Sequence, residues 1–341
     1  MKTYKNVWDE FISMDNLIFA AKKAVKSKKN KKQTQKFLKN QEQMLLDLQQ
    51  MLIRGKYKTS GYNVFTVFEP KQRLIYELPL YPDHIVHHAI VNVLGRYWQN
   101  SFIRDSYACI PGRGIHSASR QTVRFVKRNK YVLQCDIKKF YPSVSHDVMM
   151  DILRRKIKDR RMLKLLHDIV YSMPGGTNLP IGNLTSQWLG NVYMNQLDMF
   201  VKHVLHCRDY IRYSDDFCLF GNDKKQLRFY SDRISDFIEN KLKLRFSKCV
   251  LRPTVSGVSF IGYRHFAKFV LLRRRAVLRI KKRVLKIAAN HDRSKNAIFQ
   301  LASTKGFLSH ANVFNFKQWL LRHVLDCGGQ RMYDFIKRRI L

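Results

Sequence analysis

Val7, Phe11, Met14 and Ile18 recur at spacings of four, three and four, the stripe of an amphipathic helix, and the pattern predicts helix over residues 6–53. From Tyr62 to Leu80 the period changes. "YNVFTVFEPKQRLIYELPL" alternates around Glu69-Pro70-Lys71-Gln72 and predicts a β-hairpin. Residues 82–100 return to helix. "YVLQCDI", 131–137, is a strand that ends on Asp136, and residues 145–172 are again helical. "MPGGTNLPIGN", 173–183, is loop, punctuated by Pro174, Gly175, Gly176 and Pro180. A helix at 185–206 puts Trp188, Val192 and Met199 on one side. "DYIRYSDDFCLFG", 209–221, reads as a hairpin of two apolar strands, followed by helix at 223–243 and short strands at 244–272. Over 273–288, Val277, Ile280, Val284 and Ile287 form one face, with Arg275, Arg279, Lys282, Arg283 and Lys286 opposite. The tail, 296–341, is mostly helical. No internal repeat or low-complexity linker divides the chain, so an α+β catalytic unit with closely joined lobes is expected.

Charge narrows the partners. Lys and Arg number 64 against 25 Asp and Glu, a formal +39 on 341 residues. Such an excess calls for a polyanion, and nucleic acid is the commonest, because each cation that meets a phosphate releases counterions. An anionic membrane competes less well, since the basic residues run along the whole chain. Nine lysines crowd Ala21–Asn40, which suits either a solvated face or a contact arm for nucleic acid. The hydrophobic fraction, 45%, is enough for a sizeable core and argues against wholesale disorder.

Six scattered cysteines form no Cys-x-x-Cys pair, and the twelve histidines, including His84, His87 and His88, show no ligand spacing. Zinc is therefore not expected, and reduced thiols in a cytoplasmic protein are. The first residues carry Asp and Glu where a signal peptide needs an apolar stretch, and no apolar run is long enough to span a membrane.

Two acidic sites carry candidate chemistry: Asp136 at a strand end, and Asp215-Asp216 between two apolar runs. A lone Asp-Asp pair is most often a surface turn. Here both flanks are apolar, and a second strand ends on an aspartate. If the two strands are neighbours, three carboxylates share a small space, a hard-oxygen site suited to Mg²⁺. Two such ions can activate a hydroxyl and stabilise a leaving oxygen in line.

At these residues the sequence resembles a family. "RYSDDF" resembles the Tyr-x-Asp-Asp motif of reverse transcriptases, and "CDIKKFYPSV" their first palm motif. The resemblance implies a right-hand polymerase with fingers, palm and helical thumb. It implies an N-terminal helical, basic segment over 1–60. Fingers would span 61–130 with part of 173–190, palm 131–265, and thumb with C-terminal helices 266–341. Asp136, the main chain of Ile137, Asp215 and Asp216 would hold two Mg²⁺, with Mn²⁺ as a substitute. Tyr141 would be the steric gate against a ribose 2′-hydroxyl. Lys71 and Arg73 would contact the dNTP triphosphate, and Lys248 would protonate pyrophosphate. Arg113, in "SYACIPGRGIHSA", would touch template or nucleotide. Gly262, in "VSFIGYRHF", belongs to a segment that resembles the primer grip. Arg275, Arg279, Lys282 and Arg283 would grip the backbone of the primer–template duplex.

"LPIGNLTSQWLGNVYMNQLD" is similar to the reverse transcriptases of diversity-generating retroelements. Most bacterial relatives carry Gln-Gly-x-x-x-Ser-Pro there; this chain has Ile181, Gly182, Ser186 and Gln187. Gly182 permits close backbone approach to a nucleotide. Ile181 in place of a hydrogen-bonding Gln weakens selectivity built from hydrogen bonds. The resemblance implies error-prone copying of template adenines, a structured template RNA, a cDNA or primer strand, and a basic oligomeric accessory protein. It places the enzyme in the cytoplasm of a bacterium or of a phage host. Roughly fifty residues follow the thumb helix, without the His-Asn-His-like cluster of many group II intron proteins or the Asn-Ala-x-x-His motif of retron enzymes. A group II intron-like or retron-like enzyme, or a non-catalytic RNA-binding protein on the same fold, are the alternatives.

Overall fold

A computed structural model describes residues 3–68 and 72–340. The N-terminal stripe is helical but broken into α1 (Trp8–Ile12), α2 (Met14–Val25), α3 (Lys32–Lys39) and α4 (Gln41–Ile53). Ser13 makes the first break. Its extended backbone ends α1, and its hydroxyl accepts from the Asn16 amide as the N-cap of α2. β1 (Asn63–Val67) and β2 (Arg73–Glu77) form the expected hairpin, Asn63 opposite Glu77. The turn Glu69–Lys71, and Lys71 with it, lies outside the described residues.

Next come α5 (Ile85–Ser101), α6 (Ile115–Arg128), β3 (Tyr131–Ile137), the short α7 (Phe140–Ser143), α8 (His146–Lys156) and α9 (Arg160–Val170). The single helix expected at 145–172 is therefore two. Asp159 is the N-cap that starts the second, accepting from the amides of Arg161 and Met162. α10 (Leu184–Met199) runs into a π-helical turn at Phe200–Val204. The expected one-sided pattern fails here. Trp188 and Val192 are buried but Met199 is exposed, and Asn191, Asn195 and Asp198 are buried as well. α10 passes through the core, so Asn191, Asn195 and Asp198 each find a partner inside the protein instead of marking a wet face.

β4 (Tyr210–Tyr213) and β5 (Asp216–Gly221) form the Asp-Asp hairpin, followed by α11 (Lys224–Asn240) and β6 (Phe246–Pro253). The central sheet is fully antiparallel, in the order β4-β5-β3-β6. A second sheet, β7 (Val258–Phe260), β8 (Tyr263–His265) and β9 (Val270–Leu272), leads into α12 (Arg274–Ala289), α13 (Lys295–Leu308) and α14 (Phe314–Ile340).

Two cores result. One runs from Tyr4 to Leu244 and joins the N-terminal helices, α5, α8 to α11 and the central sheet. The other packs Tyr263 and Leu272 against the apolar face of α12 and the two last helices. Ile280, Val284 and Ile287 are buried there, while Arg275, Arg279 and Lys282 are exposed and Arg283 is half-buried. Among the described residues no helix is long and apolar enough to cross a membrane.

Candidate active site

β3 lies between β5 and β6, and the register sets its carboxylate against both neighbours. Asp136 is directly opposite Asp216 on β5 and opposite Lys248 on β6. The ladder shifts between Asp136 and Ile137, so the strand bends where the carboxylate sits. Ser214 and Asp215 form the turn between β4 and β5. Ser214 adopts a left-handed φ of 60°, which reverses the chain in two residues.

Burial raises the carboxyl of Asp216 to about 7; Asp136 and Asp215 push the same way, and Arg273 and Lys248 oppose them. Asp215 is raised too, by burial first, with Arg73 of the hairpin acting against the shift. Arg73 and Lys248 are thus both within electrostatic reach of the pair. Among the described residues no three His, Cys, Asp or Glu side chains are already converged into a metal cage. Asp136 Oδ2 accepts from the Ser247 hydroxyl, and Asp216 faces Arg273. The donor set itself, three carboxylates on adjoining strand ends, fits a hard divalent cation.

Beneath the turn lies a group that sequence reasoning missed. Arg212 is wholly buried. Its Nε and Nη2 donate to the two oxygens of Asp198 at 2.7 and 2.6 Å, and its Nη1 to the Ser214 carbonyl at 2.9 Å and Asn191 Oδ1 at 3.1 Å. The Asp-Asp turn is therefore tied to α10 by a buried ion pair. Arg273 and Ser247 were missed as well, since only the folded chain brings them to the carboxylates.

The other expected site residues divide. Tyr141 is half-exposed on α7, its phenol pushed up to about 12 by burial. The Ile181 carbonyl accepts from the Tyr76 amide at 2.8 Å, joining the 173–183 loop to β2. Gly182 sits at φ +123°, where a side chain is strained, and a Cβ would press at 3.1 Å on both Ile75 Cγ2 and the Tyr76 carbonyl oxygen. Gln187 is exposed on the first turn of α10 and lines an open cleft with Arg113 and Tyr213.

Arg113 is also tied to its own loop. Its Nη1 donates to the Ile103 and Ser106 carbonyls at 2.6 and 2.9 Å, so it braces its own loop. Ile261 and Gly262 make a two-residue turn with φ of 47° and 90° between β7 and β8. A Cβ on Gly262 would meet Phe307 of α13 at 2.8 Å. Of the histidines near this site, His87 is buried, its Nδ1 3.3 Å from the Thr185 hydroxyl oxygen.

An antiparallel sheet presenting paired aspartates at one strand turn and a third on the adjoining strand, flanked by a basic hairpin and a basic helix, defines a polymerase-type palm. A sequence model described as reverse transcriptase (RNA-dependent DNA polymerase) matches residues 69–265, and the chain belongs to that family. It is 24% identical over 239 residues to protein YkfC of Escherichia coli, across 56% of this chain and 62% of that one. It is 21% identical over 260 residues to the group II intron-encoded protein LtrA of Lactococcus lactis subsp. cremoris, across 54% of this chain and 43% of that one. The chain thus spans less than two thirds of either relative. A structure of telomerase from Candida albicans, in complex with a TWJ fragment of telomeric RNA, shares the fold with a TM-score of 0.50 at 12% identity, covering 83% of this chain and 55% of that one.

Proposed function

We propose that this chain is an RNA-directed DNA polymerase and, more narrowly, the mutagenic reverse transcriptase of a diversity-generating retroelement. The observation that carries the polymerase reading is the register that sets Asp136 against Asp216, with Asp215 beside it in the turn. On this reading Asp136, Asp215 and Asp216, with the Ile137 carbonyl, would hold two Mg²⁺, or Mn²⁺ in their place. The chemistry those ions supply when bound is activation of the primer 3′-hydroxyl and neutralisation of charge on the triphosphate.

The protein's own part is binding and orientation. Arg73, joined by Lys71, holds the dNTP triphosphate over Asp215. Tyr141 stands against the sugar. Lys248, exposed opposite Asp136, is placed to protonate the leaving pyrophosphate. Residues 61–130 with part of 173–190 act as fingers, 131–265 as palm and 266–341 as thumb. The Gly262 hairpin at the end of the palm, and Arg275, Arg279, Lys282 and Arg283 of the thumb, follow the phosphates of the RNA–DNA duplex.

What supports the narrower reading is Ile181. Its carbonyl is bonded to β2 and its side chain is half-exposed beside Gly182, so an apolar group stands where a Gln would offer hydrogen bonds to a nucleotide. Weak hydrogen-bond selection there favours misincorporation, and the resemblance to diversity-generating retroelement enzymes implies that the errors fall opposite adenine in the template-repeat RNA. A basic accessory protein would be the partner in that system.

The test is RNA-templated dNTP incorporation with Mg²⁺, with the cDNA sequenced, for wild type, Asp215→Ala and Ile181→Gln. Incorporation lost in Asp215→Ala, with errors concentrated opposite adenine and reduced in Ile181→Gln, is expected. Evenly low errors in the wild type would favour the second reading, a group II intron-like enzyme of ordinary fidelity, which the similarity to LtrA supports. Incorporation that survives Asp215→Ala would overturn the active-site assignment.

A further inference from the structure

Gly190 lies in the interior of α10, where glycine weakens a helix relative to alanine. The position is buried, so solvent does not explain it. Its neighbours do. A Cβ built there would stand 3.2 Å from Phe140 Cε1, 3.3 Å from Tyr141 Cε1 and 3.6 Å from the Tyr141 hydroxyl. The two rings pack on each other, with centroids 5.1 Å apart, and lie on the bare backbone of α10.

Neither partner can back away. The Tyr141 main chain is fixed by its carbonyl, which accepts from the Leu179 amide at 2.9 Å and the Val144 amide at 3.4 Å. α10 is anchored on the far side by Asn191, which donates to the Ala108 carbonyl at 2.8 Å, and by Asn195, which donates to the Ser101 carbonyl at 3.2 Å. Phe140 is buried, whereas Tyr141 is only half-buried and keeps one open side. An added methyl group is therefore relieved by the Tyr141 ring, and towards its open side.

We propose that Gly190 is a specificity-determining residue: the missing side chain sets how deeply the Tyr141 ring is seated, and so how much room is left for the nucleotide sugar. The inference rests on the reading of Tyr141 as the sugar gate. A methyl at 190 pushes the ring into the sugar's space, so a dNTP binds less well and an rNTP, with its extra hydroxyl, less well still. Gly190 acts only through the ring and touches no substrate.

The experiment is single-nucleotide incorporation on an RNA template with an annealed DNA primer, comparing a dNTP with its rNTP. The proteins are wild type, Gly190→Ala, Tyr141→Ala and the double variant. Gly190→Ala is expected to raise the dNTP KM roughly tenfold with kcat little changed, the size of a single-methyl overpacking effect. Tyr141→Ala is expected to raise rNTP incorporation. In the double variant the KM increase should vanish, because no ring remains to be pushed. An unchanged dNTP KM in Gly190→Ala overturns the inference while leaving the gate intact. A KM increase that persists without the Tyr141 ring also overturns it. Unchanged rNTP incorporation in Tyr141→Ala would instead remove the gate reading on which the inference rests. Should Gly190→Ala fail to fold, Phe140→Leu with Gly190→Ala relieves the other contact and keeps the one with Tyr141, and the same KM comparison decides.

Discussion

Replacing Arg212 by methionine removes a positive charge but keeps an unbranched side chain in a site with no exposure to water. In the intact protein the guanidinium gives Asp198 two hydrogen bonds at 2.7 and 2.6 Å, and both side chains are 0% exposed. After the substitution Asp198 keeps one donor, the Tyr210 hydroxyl at 2.8 Å, and stays buried. Breaking a buried ion pair from one side costs about 3–5 kcal/mol, because a carboxylate is left without its counter-charge. At about 2–4 °C per kcal/mol for a unit of this size, the melting temperature should fall by roughly 6–20 °C. Asp198→Asn in the same background removes the stranded charge and should recover more than half of the loss. A second readout follows the Ser214 carbonyl, which loses its donor at 2.9 Å. The Asp-Asp turn is then less well held, and primer extension should lose about tenfold in kcat, the consequence of a small misplacement of reacting groups. Thermal melting by circular dichroism and steady-state extension test both arms. If Arg212→Met melts within about 2 °C of wild type, a shift worth under 1 kcal/mol, or the double variant is no more stable than the single one, the ion pair is not what holds this turn.

Asp216→Asn should raise the melting temperature of the metal-free protein, abolish the further rise that Mg²⁺ gives the wild type, and stop incorporation; a Mg²⁺-dependent shift that survives in the variant contradicts the assignment. His265, fully buried, is held down to about 4 by burial, with Arg273 and His310 adding to the effect. Its folded value lies below the unfolded one, so its contribution is present above about pH 6.5 and is lost as pH falls towards about 4, a change of roughly 3 kcal/mol. Urea titrations across that window should show a shallower pH slope for His265→Gln than for wild type, and equal slopes would refute it. Arg279→Ala, on the exposed face of α12, should weaken duplex binding on all sequences alike and flatten the plot of log affinity against log salt by about 0.9; an unchanged slope would remove α12 from the phosphate path.

How much of this could be read from the sequence depended on range. The Asp-Asp hairpin and β3 were legible because apolar strands and a two-residue turn are local patterns, and because two aspartates at strand ends contradict their apolar surroundings. α12 was legible for the same reason: its apolar stripe and basic face are written within sixteen residues. The N-terminal helices were legible in type but not in number, since Ser13 and Asn40 act as caps only when the backbone turns there.

What stayed hidden was polar and long-range. With 64 Lys and Arg in the chain, any one of them reads as a phosphate contact. Arg113 reads that way, and the fold adds what the sequence does not show: it braces its own loop through carbonyls ten and seven residues away. Arg212 was passed over as one more cation beside the motif, and its partner Asp198 as one more charge on a helix. Helical periodicity assigns polar residues to water, and α10 breaks that rule by pairing Asn191, Asn195 and Asp198 with groups inside the protein. Gly190 was silent for a related reason. A glycine in a helix lowers the helical signal without saying which ring it makes room for. A cation that binds nucleic acid and one that holds the fold differ only in whether a carbonyl or carboxylate has folded back to meet them. Charge composition therefore points to a polyanion as the expected partner, but only the three-dimensional positions of the acceptors separate the cations left free to meet one from those that hold Asp215 and Asp216 in place.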